Sequence, residues 1–177
     1  MTMRFLGAVM FGAVLLTAGS AVAQQPAAPA NPLDVIPDKM PFATPYGAPI
    51  ASAKADAAIA AAAAEATKRG WLMNIAVVDS GGNLVAFKRM DGAQLASISI
   101  SEHKARAAVK YRRPTKVFED AVQKGLVYIT TLDDVVASRG GIPLVEDGKL
   151  IGAIGCSGGT GSQDEATCTV GAETINK

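Results

Sequence analysis

Two hairpin patterns constrain the fold of this chain more than any other feature. In residues 71–90, the β-rich runs WLMNIAVVD and NLVAFKRM flank SGG, whose glycines permit the positive φ that a tight turn needs. In residues 141–157, GIPLVE and KLIGAIGCS flank Asp-Gly, a pair favoured in two-residue hairpin turns. The two patterns together predict four antiparallel strands.

Helical patterns surround both hairpins. Residues 51–69 are mostly alanine and precede Gly70, a typical helix stop. Helices are also predicted over 93–111 and 115–124, and a short extended piece over 126–130. A glycine loop then leads into a terminal helix, for which Ser162 and Glu165 have capping-box spacing. The order helix, hairpin, two helices, hairpin, helix favours an α+β fold with a central antiparallel sheet over a Rossmann domain.

The first residues predict export. Residues 1–23 carry one charge, Arg4, then an apolar run and an Ala-Val-Ala ending, the layout of a cleaved secretory signal. The run is too short to span a bilayer comfortably, so we expect a periplasmic or secreted protein without an integral membrane segment after cleavage. Residues 24–49 are proline-rich and predict an extended segment, and residues 50–177 are the predicted folded domain.

The charge balance argues against one class of partner. The chain has 17 Lys and Arg residues, and loss of Arg4 with the signal leaves 16, equal to the 16 Asp and Glu residues. Binding to nucleic acid needs excess positive charge, so we expect no nucleic-acid partner for this chain. Cys156 and Cys168 lack C-x-x-C spacing, and in an oxidising compartment a disulfide between them is permissible but not required.

The glycine loop GCSGGTGSQ resembles an anion-binding loop only loosely. It lacks the Lys-Ser/Thr ending of a nucleotide P-loop, and tight turning is the favoured interpretation. A carboxylate ligand on its backbone N–H groups stays open.

His103 is the one histidine of the chain and lies in a basic helical stretch. Its spacing from Ala96, Ile100 and Ala107 predicts a place at the edge of a packed face. One histidine cannot build a multi-histidine zinc site, but a porphyrin iron needs only one axial ligand. Nearby basic residues could pair with propionates; they are Lys104, Arg106, Lys110, Arg112 and Arg113. A solvated helix end that complements the macrodipole is the alternative, and spacing alone favours it.

The motifs, taken in order, resemble those of a known family. IAVVDSGGNLVAFKRMDGA, SISISEHKARAAV, RRPT, GGIPLVEDGKLIGAIGCSGG and QDE are similar to the GlcG/HbpS family of heme-binding proteins, which includes the C-terminal domain of PduO-type proteins. The resemblance covers residues 50–177. It implies a profilin-like α+β domain with four to five antiparallel strands, assembly into homo-oligomers, and heme bound near subunit surfaces.

The resemblance also implies site residues. Histidine or threonine serves as the axial ligand in such proteins, so His103 is the candidate metal ligand and Thr115 the alternative. Tyr111, Arg112 and Arg113 are the other candidate heme contacts. We therefore expect a periplasmic or secreted protein that stores, buffers or senses heme rather than an enzyme.

Two other functions stay open. The first is a small-molecule enzyme or accessory protein with His103 as acid or base, in a pocket between its helix and the glycine loop. The second is a ligand-free oligomeric module with His103 at a subunit interface.

Overall fold

The computed structural model describes residues 36–176. They form a four-stranded antiparallel sheet of order β2-β1-β4-β3 with four α-helices, so the predicted α+β class and element order are confirmed. The strands are β1 (Asn74–Asp79), β2 (Leu84–Arg89), β3 (Gly141–Glu146) and β4 (Lys149–Ser157). The helices are α1 (Ser52–Arg69), α2 (Ala96–Lys110), α3 (Lys116–Gln123) and α4 (Gly161–Ala172). The predicted signal and the first part of the proline-rich segment lie outside the described residues.

Both predicted hairpins form, through different turn chemistry. In the first, the Asp79 carboxylate accepts the backbone N–H groups of Gly81 and Asn83, at 2.8 and 2.9 Å. In the second, Asp147 and Gly148 both have positive φ, 49° and 70°, as a primed two-residue turn requires. Local sequence therefore determines both strand connections.

The sheet carries helices on both faces. On one face, α1 and α4 pack against the side chains of Ile75, Val77 and Ile154. On the other, α2 packs against a second cluster around Val78 and Ala153. The strands alternate between the two clusters because successive side chains point to opposite faces of a sheet.

Glycines let α2 lie directly on the sheet. A Cβ at Gly155 would come within 2.1 Å of the Ser101 carbonyl oxygen, and one at Gly141 within 2.3 Å of the Lys104 carbonyl oxygen. Helix and strand backbones are therefore closer here than side-chain packing would allow.

A disulfide joins β4 to α4. Cys156 and Cys168 are both fully buried and bonded, with Cα atoms 5.6 Å apart. The sequence left this pairing open, and the fold brings the two residues together by placing α4 against β4.

Two local predictions are wrong. Residues 127–131 form a 3-10 helix instead of an extended piece, and the Thr130 and Thr131 hydroxyls donate to carbonyl groups three residues earlier. The capping box of α4 consists of Thr160 and Gln163, not Ser162 and Glu165, so the helix starts earlier.

The last part of the proline-rich segment is bound to the domain. Backbone hydrogen bonds of 2.8 Å join Gly47 N–H to the Leu150 carbonyl and Leu150 N–H to the Pro45 carbonyl. The Tyr46 hydroxyl donates to the Lys110 carbonyl at 2.9 Å, at the end of α2. Residues 42–50, called the N-terminal segment below, thus run along β4 and reach α2. Within residues 36–176, no helix combines the length and apolar composition needed to cross a bilayer.

Candidate functional site

His103 lies on the outer face of α2, exposed and turned away from the sheet. The imidazole is therefore not part of the packed face, although Ala107, of the same predicted stripe, is fully buried. The rest of the buried face of α2 consists mainly of small or polar residues, among them Ser97, Ser101 and Lys104. Within residues 36–176 the imidazole takes part in no hydrogen bond or ion pair, whereas Arg106 bonds to Glu102 at 2.8 Å.

The surroundings of His103 on this face are small or apolar toward the start of α2. Ala96 and Ser99 are exposed, and Leu95, just before the helix, is 70% exposed. Toward the end of α2, the Lys110 ammonium is paired with Asp134. The imidazole therefore has two small exposed neighbours, Ala96 and Ser99, on the side toward the start of α2.

Lys104 is buried, contrary to the expectation that it contacts a surface ligand. Its ammonium bonds to the Asp164 carboxylate at 2.7 Å, and the two side chains are 1% and 4% exposed. The other Asp164 oxygen accepts the Gly159 N–H at 3.0 Å. The pair thus fastens α2 to the start of α4.

The buried Lys104–Asp164 pair occupies the space between α2 and the glycine loop. Two of the loop N–H groups are already occupied, since Gly159 donates to Asp164 and Thr160 to the Gln163 side chain. These two groups therefore offer no donor to a carboxylate ligand, and His103 lies on the exposed side of α2.

Thr115, the alternative axial ligand, is fully buried. Its hydroxyl accepts the Gly141 N–H at 2.9 Å, and its own N–H donates to the Gly141 carbonyl at 3.0 Å. The residue therefore anchors the start of β3, and a ligand would reach its oxygen only if that anchor opened. Of the two candidates, His103 is the accessible one.

Tyr111, Arg112 and Arg113 come together in the turn after α2. The Tyr111 hydroxyl donates to the Asp133 carbonyl at 2.6 Å, and its ring packs edge-on against Phe118. The two guanidinium groups lie over aromatic rings, Arg112 over Tyr46 and Arg113 over Phe42 among others. Sequence reasoning missed Phe42 and Tyr46; their only signal was aromatic character in a proline-rich stretch.

An ion network behind α3 was also missed. Arg139 pairs with Glu119 at 2.8 Å and with Glu165 at 3.4 Å, so it links α3 to α4. The hydrogen bond from the Arg139 side chain holds the pKa of Glu119 below its ordinary value of 4.5, although partial burial opposes this shift.

A shallow cleft of about 520 Å³ lies elsewhere, between α1 and β2. It contains none of the predicted site residues and has an alanine-rich floor; its lining includes Asp56, Ile59, Ala60, Ala63, Phe87 and Lys88. The candidate site is therefore the outer face of α2 and the turn that follows it, and neither lies in this cleft.

Comparison with known proteins places this fold in a family. The HbpS-like family model, described as "Haem degrading protein HbpS-like", matches residues 50–173. The chain belongs to the HbpS-like family. Protein GlcG of Escherichia coli K12 is 43% identical over 93 residues, which cover 52% of this chain and 69% of GlcG.

Solved structures of the same fold include two informative ones. A PduOC:heme complex matches with a TM-score of 0.66 and 29% identity, covering 72% of this chain and 96% of that one. A double mutant of HbpS from Streptomyces reticuli matches with a TM-score of 0.68 and 26% identity, over 85% and 99% of the two chains. The HbpS-like match begins at residue 50, so the N-terminal segment almost entirely precedes it.

Proposed function

We propose that this HbpS-like chain is an exported heme-binding protein that stores, buffers or senses heme, with His103 as the axial ligand. The observation that carries the proposal is the exposed imidazole on the outer face of α2, which has no intramolecular partner among the described residues. An imidazole in that state is available to bind iron without the loss of any existing contact.

The donor set fits a porphyrin better than a bare metal ion. Within residues 36–176, no group of three His, Cys, Asp or Glu side chains is arranged to hold a metal. Both cysteines are used in the disulfide, so they offer no thiolate. Heme brings four nitrogen ligands of its own and needs one protein ligand, which His103 can supply.

The relatives support the same ligand. One structure of this fold was solved as a PduOC:heme complex, and the family model is described as "Haem degrading protein HbpS-like". In this chain Ala96, Ser99 and Leu95 leave room beside the imidazole for a flat ring, and the exposed Leu95 offers it apolar contact. Tyr111, Arg112 and Arg113 are the proposed further contacts. We also propose that the protein is a homo-oligomer, as its resemblance to the family implies.

Two features support export. Residues 1–23 have the layout of a secretory signal, and a buried Cys156–Cys168 disulfide is typical of oxidising compartments. We therefore propose that the protein binds heme in the periplasm or outside the cell.

The test is a hemin titration of the purified mature protein, followed in the Soret region. His103→Ala is expected to weaken binding at least about tenfold, because one coordinate bond is lost. Thr67→Ala, an exposed change on α1, on the opposite face of the sheet, is the matched control and should bind as the unaltered protein does. Equal affinity of the His103→Ala variant would refute His103 as ligand, and the absence of any Soret change with the unaltered protein would refute heme binding.

A further inference from the structure

The turn after α2 contains two adjacent guanidinium groups held by aromatic rings. The Arg113 Cζ atom lies 3.6 Å from the centroid of the Phe42 ring, and the Arg112 Cζ lies 5.6 Å from the centroid of Tyr46. The rings of Tyr111 and Phe118 flank Arg113 on other sides, at 5.9 and 5.7 Å. Stacking of this kind restricts the orientation of a guanidinium without using its N–H donors.

These two arginines differ from the basic residues around them. Arg106, Lys110, Lys116 and Arg139 each pair with a carboxylate. Neither Arg112 nor Arg113 has a carboxylate within ion-pair distance in the part of the chain that the structure describes.

The hydrogen bonds of the pair go to backbone oxygens instead. Arg113 Nε donates to the Tyr111 carbonyl at 2.9 Å, and Arg112 Nη1 donates to the Thr44 carbonyl at 3.4 Å. Each guanidinium has five N–H donors, so most of them remain for another acceptor. Partial burial, and then the neighbouring charge of Arg112, lower the pKa of Arg113, as expected for two cations held together without an anion.

The backbone around the pair is held in uncommon conformations. Phe42 and Arg112 have φ values of 66° and 54°, in the left-handed region that bulky side chains rarely adopt. Such conformations persist where surrounding contacts fix them, and they concentrate at functional sites. Here the Tyr46 hydroxyl on the Lys110 carbonyl and the backbone bonds of Pro45 and Gly47 to Leu150 supply those contacts.

We infer that the N-terminal segment, through Phe42 and Tyr46, positions Arg112 and Arg113 to bind the carboxylates of the heme propionates. The inference rests on the proposed function and extends it to residues that precede the family match. Arg106 and Lys110 lie closer to His103 on α2, but both are paired with acidic side chains. Arg112 and Arg113 are therefore the guanidinium groups available to a carboxylate. Phe42 and Tyr46 are positioning residues, since they act through the two arginines.

The experiment compares hemin with hemin dimethyl ester, in which both propionates are blocked. Affinities are measured by Soret titration of the full mature protein. The unaltered protein is expected to bind hemin at least about tenfold more tightly than the ester, because charge-assisted hydrogen bonds are lost with the ester. Arg113→Gln and Phe42→Ala should remove most of this preference and leave ester affinity unchanged.

Controls separate positioning from net charge and from folding. Lys124→Gln removes one exposed positive charge away from the pair and should keep the preference for hemin. Phe42→Tyr retains a ring over Arg113 and should also keep the preference for hemin. This variant is informative even if Phe42→Ala does not fold. If Arg113→Gln and Phe42→Ala both keep the preference for hemin over the ester, this inference is overturned and the proposed function is not. Loss of that preference in Phe42→Tyr has the same consequence. Failure of the unaltered protein to bind hemin overturns the proposed function together with the inference.

Discussion

Replacement of Lys104 by methionine tests how the structure fixes the helix that carries His103. The change removes a buried ammonium and keeps a side chain of similar length. The Asp164 carboxylate, 4% exposed, then retains one hydrogen bond, from Gly159 N–H, and loses its ion-pair partner. An unpaired buried charge is costly because little solvent reaches it.

The expected loss is large for a single substitution. Removal of one partner of a buried ion pair costs about 3–5 kcal/mol in the free energy of unfolding. With a urea dependence of about 2 kcal/mol/M, the unfolding midpoint should fall by roughly 2 M. Replacement of both residues, Lys104→Met with Asp164→Leu, should cost less than either single change, since neither charge is then left alone.

The assay is urea unfolding at fixed protein concentration, followed by the fluorescence of Trp71, the one tryptophan of the chain. Trp71 packs against the core cluster, so its emission reports loss of that packing. Surface pairs contribute at most about 1 kcal/mol, so a shift below about 0.5 M for Lys104→Met would show that water reaches the pair and that it does not act as a buried ion pair.

Three further predictions concern other parts of the fold. Gly155→Ala should destabilise the protein by about 2–3 kcal/mol in the same unfolding assay, because its new methyl group would collide with the backbone of α2. A loss of unfolding free energy no larger than that of an ordinary surface substitution would contradict the close approach of α2 to β4. Replacement of both Cys156 and Cys168 by alanine should cost about 3 kcal/mol in the same assay, and an unchanged midpoint would argue against the disulfide. Glu119→Gln should reduce stability at neutral pH. The pKa of Glu119 is lowered by Arg139, so this stabilisation exists above pH 4.5 and disappears as the pH falls through the folded-state pKa. The free energies of unfolding of the two proteins, measured against pH, should therefore converge in acid. A difference that stays constant with pH would contradict this prediction.

Local patterns predicted much of the fold. The turns at Gly82 and Asp147–Gly148 and the alanine-rich α1 specify their own conformations, so sequence reasoning found the hairpins and helices in the correct order. The cap of α4 was misplaced because Thr160 and Ser162 both begin a plausible capping box, and only the position of the loop decides between them.

The buried face of α2 could be predicted only in part from its own residues. Its buried side includes Ser101 and Lys104, which are exposed in most helices, and it fits the sheet because Gly155 and Gly141 lie opposite. Lys104 is stabilised by Asp164, 60 positions away in the chain. Information of this kind is tertiary, so the spacing of apolar residues indicated the burial of Ala107 but not that of Ser101 and Lys104.

The same limit applies to the turn after α2. Arg112 and Arg113 were identified as candidate contacts from their charge, but nothing in the sequence indicated that Phe42 and Tyr46 pack on them. Those contacts cross more than sixty positions of the chain, as the 68-residue separation of Arg112 and Thr44 illustrates. Long-range docking of a proline-rich segment leaves no periodic signal.

The central claim is that His103 binds heme iron, and imidazole rescue tests it most directly. Electron paramagnetic resonance and Soret spectra are recorded for hemin-loaded protein, for His103→Ala, and for His103→Ala with added imidazole. If His103 is the axial ligand, a histidine-ligated ferric spectrum is lost in the variant and restored by imidazole. Identical spectra for the unaltered protein and the variant, without any effect of imidazole, would contradict it.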